Sequence, residues 1–232
     1  MNFIRFESEL LPMKDNNMAK RTPNLFSYIV TTDNGFAPNP FGGICTLACA
    51  KPNIRRNANV GDWIIGTTPP PNRGRLVFAM RVDRGLPFEM YWDFPEYECK
   101  KPGKDNGCGD NIYKKGKDGH LVQVKNLFHN KEHLKSDTSI NRVLISKTFY
   151  YFGKEAVKIP EKLKTVIQTT QGHKTIKPNP ENSNKRDIVP LFIEWLENNY
   201  QQGIHGTPAH VEAKCKLPVS ESGTDNTSAP AA

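Results

Sequence analysis

Proline and glycine recur so often along this chain that no long helix or strand can pass uninterrupted. Their densest concentration is "DNGFAPNPFGG" (33–43), where an Asn-Gly pair, two prolines and a Gly-Gly end all break regular structure. "TPPPNRG" (68–74) is a stiff exposed loop on the same grounds. With 18 prolines and 17 glycines in 232 residues, the chain is built from short elements joined by many loops. A loop as rich in turn formers as 33–43 buries little surface of its own, so it is placed to touch something.

The elements between these loops are mostly strands. "LFSYIVTT" (25–32) alternates apolar and polar residues and is rich in β-formers. "ICTLACA" (44–50) fits a short strand or a helical turn, and either puts Cys45 and Cys49 on one face. "VGDWIIGT" (60–67) reads as a turn and a buried strand, and "RLVFAMRVD" (75–83) pairs antiparallel with it as a hairpin. "LPFEMYWDFPEYECKKP" (86–102) suggests a short helix interrupted at Pro95. "GCGDNIYKKGKDGHLVQV" (107–124) reads as two short strands around a basic turn, and "NRVLISKTFYYFG" (141–153) as one strand. Helices are expected in "PEKLKTVIQ" (160–168), with Pro at its start, and in "RDIVPLFIEWLENNY" (186–200), where Ile188, Leu191, Phe192, Trp195 and Leu196 fall at helical spacing. Regular β-α alternation is missing, so a doubly wound sheet is not expected. The pattern predicts an α+β fold, a partly closed mixed or antiparallel β-barrel with short peripheral helices.

Residues 1–22 are expected to be an N-terminal extension, with Met18 an alternative start; 23–212 a single domain; and 213–232 a disordered tail. No apolar run approaches the ~18 residues of a membrane span. The first residues carry glutamates and do not form a secretory signal, so a cytoplasmic protein is expected. The formal net charge of +8 favours an anionic partner, nucleic acid or nucleotide. Three basic groups fall in loop-like sequence within reach of a phosphate backbone: Lys51, Arg55 and Arg56; Lys100, Lys101 and Lys104; Lys114, Lys115 and Lys117. Five cysteines, an odd number without a signal peptide, point to a reduced protein.

No complete catalytic motif is present. "GFAPNPFGG" lacks the Gly-Lys-Ser/Thr ending and the G-x-G-x-x-G spacing of phosphate loops. Cys45, Cys49, Cys99, Cys108 and His120 lack the two tight pairs of a zinc knuckle, so no metal site is expected and no cofactor is indicated. Asp33, directly after a strand, is the best-placed carboxylate, with an Asx turn as its structural alternative. With Cys45 and His173 it supplies the residue types of a nucleophilic site. Aromatic rings interleave with the cations, as expected for stacking on an unpaired base.

"FSYIVTTDNGFAPNPFGGICTLACAKPNIRR", "GDWIIGT", "RLVFAMRVD", "YWDFPEY", "GDNIYKK", "VLISKTFYYFG" and "QGHK", in this order, resemble the nucleotide-modification-associated domain family, type two, over residues 24 to 205. The resemblance implies a role linked to modified nucleotides in bacteria or phage, and Asp62 is among the matching polar positions. A weaker, fold-level likeness is to PUA-like and EVE domains, in which an aromatic segment completes a pocket for a modified base. The resulting expectation is a pocket walled by 33–43. Asp33 and Asn39 offer polar groups, Lys51, Arg55 and Arg56 bind phosphate, Trp63 and Trp92 stack, and the turn of Asp110, Asn111 and Tyr113 closes the site. The alternatives are a nucleotide-modifying or hydrolysing enzyme using Asp33, Cys45 and His173, and a phage protein sequestering a small nucleotide.

Overall fold

A computed structural model describes residues 21–103, 107–178 and 187–210. The expected N-terminal extension, apart from its last two residues, and the expected tail lie outside the described residues.

The large sheet grows from the predicted hairpin. β3 (Trp63–Thr67) and β4 (Arg75–Arg81) pair antiparallel across the 68–74 loop. β1 (Leu25–Ile29) lies parallel to β3, and β11 (His173–Ile176) flanks it antiparallel. On the other side β9 (Phe149–Tyr151) joins β4 antiparallel, β12 (Gly203–Ile204) runs parallel to β9, and β10 (Val157–Lys158) pairs the start of β4. A second sheet places β8 (Val143–Ser146) between β2 (Cys45–Leu47) and β5 (Arg84–Leu86), and β6 (Tyr113–Lys115) pairs with β7 (Leu121–Gln123). The fold is mixed α+β. Its large sheet ends at β11 and β12, which do not pair with each other, so no closed barrel forms among the described residues.

Segment 141–153 is two strands, not the one expected. Between Ser146 and Phe149 the chain leaves one sheet for the other, where the Asp83 carboxylate accepts hydrogen bonds from Lys147 N (2.6 Å) and Thr148 N (3.3 Å). β4 and β5 make the same crossing on the partner side, and together they form a bent ribbon shared by both sheets.

Side-chain alternation makes both faces of the large sheet apolar. Leu25, Trp63, Ile65 and Ala79 point to one face, closed by α4 (Ile188–Asn199) through Val189, Phe192 and Leu196 and by the 3-10 turn Glu161–Val166. Phe26, Ile64, Phe78 and Met80 point to the other, against Cys45, Leu47 and Leu144 of the second sheet and Ile54 of α1 (Pro52–Asn57). A third cluster under α2 (Phe88–Asp93) covers the far side of the second sheet. The remaining helix, α3 (Lys131–Asp137), is capped by Asn130, whose side chain accepts from Glu132 N.

Candidate ligand cleft

The chain leaves β1 as a ridge, residues 30–34, with a cleft on each side. The Asx turn of this loop is made by Asn34, whose Oδ1 accepts from Phe36 N. That frees Asp33 to turn inward. The first cleft, of about 320 Å³, is lined by Tyr28, Phe36, Lys51, Phe128, His129 and His133 among others. The second, of about 210 Å³, is lined by Asp33, Arg75, Lys154 and His210 among others. Val30 borders both.

Lys51 reaches the first cleft through an unusual backbone. Ala50 (φ 57°) and Lys51 (φ 44°) are consecutive non-glycine residues in the left-handed region, which costs roughly 1–2 kcal/mol each. Such a conformation persists only where the surroundings impose it. Here the Asp137 carboxylate accepts from Ala50 N (2.8 Å) and Arg55 Nε donates to Ala50 O (2.8 Å). Pro52 then starts α1, its missing N–H costing nothing at that position. The result holds the Lys51 ammonium 4.4 Å from the centre of the Tyr28 ring. Burial lowers the Lys51 pKa. Tyr28 itself is buried, and its hydroxyl has no hydrogen-bond partner among the described residues.

The same cleft carries two imidazoles. His129 and His133 stack with ring centres 4.2 Å apart, and Phe36 meets His129 edge-on at 4.9 Å. His129 Nδ1 lies 2.5 Å from Asp137 Oδ2, which also accepts from Tyr113 OH (2.7 Å). Burial works against the charged carboxylate, yet the bonds from His129 and Tyr113 hold Asp137 below the ordinary range. A buried acid thus orients an imidazole beside an ammonium and aromatic walls, a set able to bind an anion, stack a ring and move a proton.

In the second cleft Asp33 Oδ1 accepts from Tyr151 OH (2.5 Å) and Oδ2 from Ala209 N (3.2 Å), while Asp33 N donates to His210 Nδ1 (3.1 Å). Burial raises the Asp33 carboxyl above its ordinary value, against these bonds.

Several expected site residues lie elsewhere. Arg55 does not meet phosphate: it is fully buried, and its guanidinium donates to the carbonyls of Ala50, Ile140, Arg142 and Asp137. Arg56 is exposed on α1. Trp63 is not a stacking platform, because strand alternation turns it under α4, with Tyr150 at 6.3 Å. Trp92 is half-buried beneath Lys101 (4.5 Å) and Lys114 (5.3 Å). Cys45 is sealed against Met80, and burial pushes its thiol up to about 12. His173 sits on the edge strand β11, its ring 6.3 Å from Phe26. Asp33, Cys45 and His173 therefore do not make one nucleophilic site.

Asn39 of the 33–43 loop, Asp110 and Asn111 belong to a buried polar layer. Lys100, expected at the surface, is fully buried there and donates to Asn39 O, Asn39 Oδ1 and Ile44 O at 2.8–3.0 Å. Asp110 accepts from Thr46 Oγ1 (2.7 Å) and Tyr91 OH (2.8 Å); Asn111 Nδ2 donates to Tyr91 O (2.7 Å). Asp62 accepts from Arg21, Asn24 and Asn59 and pins the strand ends. The cysteines are not all reduced either, since Cys108 is disulfide-bonded. Sequence reasoning missed Tyr28, Phe36, Phe128, His129, His133, Asp137 and His210. The regular spacing of His129, His133 and Asp137, four residues apart, was a readable signal.

Fold and clefts together define a mixed α+β domain with a cleft that is aromatic and basic at once. The chain belongs to the nucleotide modification associated domain 2 family, whose model matches residues 22–215 and so confirms the resemblance seen in the sequence. That membership gives it a role in the context of nucleotide modification. No curated protein and no solved structure matches it. No helix among the described residues is long and apolar enough to cross a membrane.

Proposed function

We propose that the first cleft recognises a nucleotide or an unpaired, modified nucleobase. Lys51 meets the phosphate, and the base packs among Phe36, Phe128 and the paired imidazoles of His129 and His133. The observation that carries this reading is the Lys51 ammonium fixed over Tyr28 in a cavity of about 320 Å³, the lower end of the small-molecule range. Membership of a nucleotide-modification family supports it, as does the net charge of +8. A role in DNA modification or phage–host conflict belongs to this reading, as does sequestering of a free nucleotide. The ribbon shared by two sheets supports a PUA-like relationship within it.

A second reading, modification or hydrolysis of the bound nucleotide, is favoured by one observation. Asp33, with its raised carboxyl, faces His210, Arg75 and Lys154 in the second cleft. Of Asp33, Cys45 and His173, this reading keeps Asp33.

Calorimetric titration with nucleoside monophosphates and short single-stranded DNA tests the proposal. Phe128→Ala should weaken binding about tenfold or more, consistent with ~1–3 kcal/mol per stacked base, and Lys51→Ala by about as much through loss of the charge-assisted contact to phosphate. Binding that survives both substitutions but disappears in Asp33→Ala would transfer the site to the second cleft.

A further inference from the structure

We propose that Cys49, His129 and Asp137 form a binding site for a divalent transition metal of the zinc class. One ligating atom from each, a sulfur, a nitrogen and an oxygen, lies within 4.8 Å of the other two. The three come from separate places in the chain: Cys49 just after β2, His129 before α3 and Asp137 at its end. That dispersal is why no knuckle spacing announces the site. Zinc accepts all three donor types, and three protein ligands with one open position is its usual catalytic arrangement.

The surroundings hold the ligands as a metal site requires. Asp137 Oδ1 takes one hydrogen bond, from Ala50 N, and keeps a lone pair; Oδ2 is oriented by Tyr113 OH. Arg55 spends its donors on backbone carbonyls and none on the Asp137 carboxylate. His129 Nδ1 and Asp137 Oδ2 are 2.5 Å apart, closer than the ~3.3 Å between neighbouring ligands of a tetrahedral ion, so binding through these two atoms parts them by under about 1 Å. On binding, the Cys49 thiol gives up its proton to solvent and the His129 nitrogen presents its lone pair, so affinity rises with pH. Because His129 also lines the first cleft, the ion's open position would lie beside the proposed nucleotide site. Metal binding itself does not rest on that reading.

The experiment uses the full chain, stripped with chelator and titrated with Zn²⁺ alone and with Co²⁺ alone. One equivalent should bind, and Co²⁺ should produce a thiolate-to-metal charge-transfer band in the near ultraviolet. Cys49→Ser should abolish that band, and both Cys49→Ser and His129→Gln should weaken Zn²⁺ binding at least about 100-fold. Far-ultraviolet circular dichroism of the same samples establishes that the variants are folded. Sub-stoichiometric binding by wild type overturns the proposal. So does a charge-transfer band that persists in Cys49→Ser, which would assign the thiolate to another cysteine. Nucleotide binding, measured separately on the metal-free protein, is free to succeed or fail without touching either result.

Discussion

At the scale of single residues, buried charge decides what is exposed. Arg55 never reaches solvent, yet it fixes the left-handed turn that presents Lys51. Arg55→Met takes the donor from four carbonyls, that of buried Asp137 and those of half-buried Ala50, Ile140 and Arg142, so a stability loss of about 3–5 kcal/mol is expected in urea unfolding. Asp33 supplies a pH-dependent counterpart. Burial raises its folded-state carboxyl above the ordinary 3.8, so the folded chain holds that proton more tightly than the unfolded chain. The resulting stabilisation is complete below about pH 4 and is lost as pH rises through the folded value. Asp33→Asn keeps a carbonyl acceptor for Tyr151 and removes the titration. Between about pH 4 and 7 the wild-type unfolding midpoint should therefore fall relative to the variant; parallel profiles would exclude this role. Residue type alone singled out Asp33 and Lys51, which line the two clefts. It could not mark Arg55, Lys100 or Trp63, because exposure depends on which face a neighbouring element covers, and that is a long-range fact.

At the scale of elements, local pattern carried most of the information. The 63–67/75–81 hairpin, the break at Pro95 and the spacing of the last helix were all legible, since period and turn chemistry are local. The split of 141–153 was not, because the Asp83 carboxylate that causes it lies some sixty residues upstream. The parallel pairing of β1 with β3 and the pairing of β11 with β1 are similarly non-local. β3 illustrates how an interior strand shapes the clefts. A Cβ at Gly66 would lie 2.3 Å from Phe78 Cε1 and 2.5 Å from Val30 Cγ2, so this position tolerates no side chain. Gly66→Ala should cost about 1–3 kcal/mol by overpacking. Since Val30 borders both clefts, the same substitution should also weaken nucleotide binding, measured by titration at a temperature where the variant is folded.

At the scale of the whole molecule, the ends of the described chain are tied across the sheet. Residues 203–210 run as a strap: β12 pairs with β9, Lys154 N donates to Thr207 O (2.9 Å), and Ala209 and His210 bond Asp33. The strap closes the second cleft and leaves the first untouched, which gives a way to separate them. Gly153 has φ +55°, and a Cβ there would stand 2.0 Å from Thr207 O. Gly153→Ala must therefore push the strap away from β9 while the two main core clusters stay packed. The expected outcome is faster amide exchange confined to 203–210 and around Asp33, with exchange in β3 and β4 unchanged. Nucleotide affinity should stay within about threefold of wild type, under 1 kcal/mol, if Lys51 and its aromatic neighbours hold the ligand. A large loss of affinity in a variant whose first cleft is intact would instead make the strap part of the binding site, and would move the chemistry to Asp33 and His210.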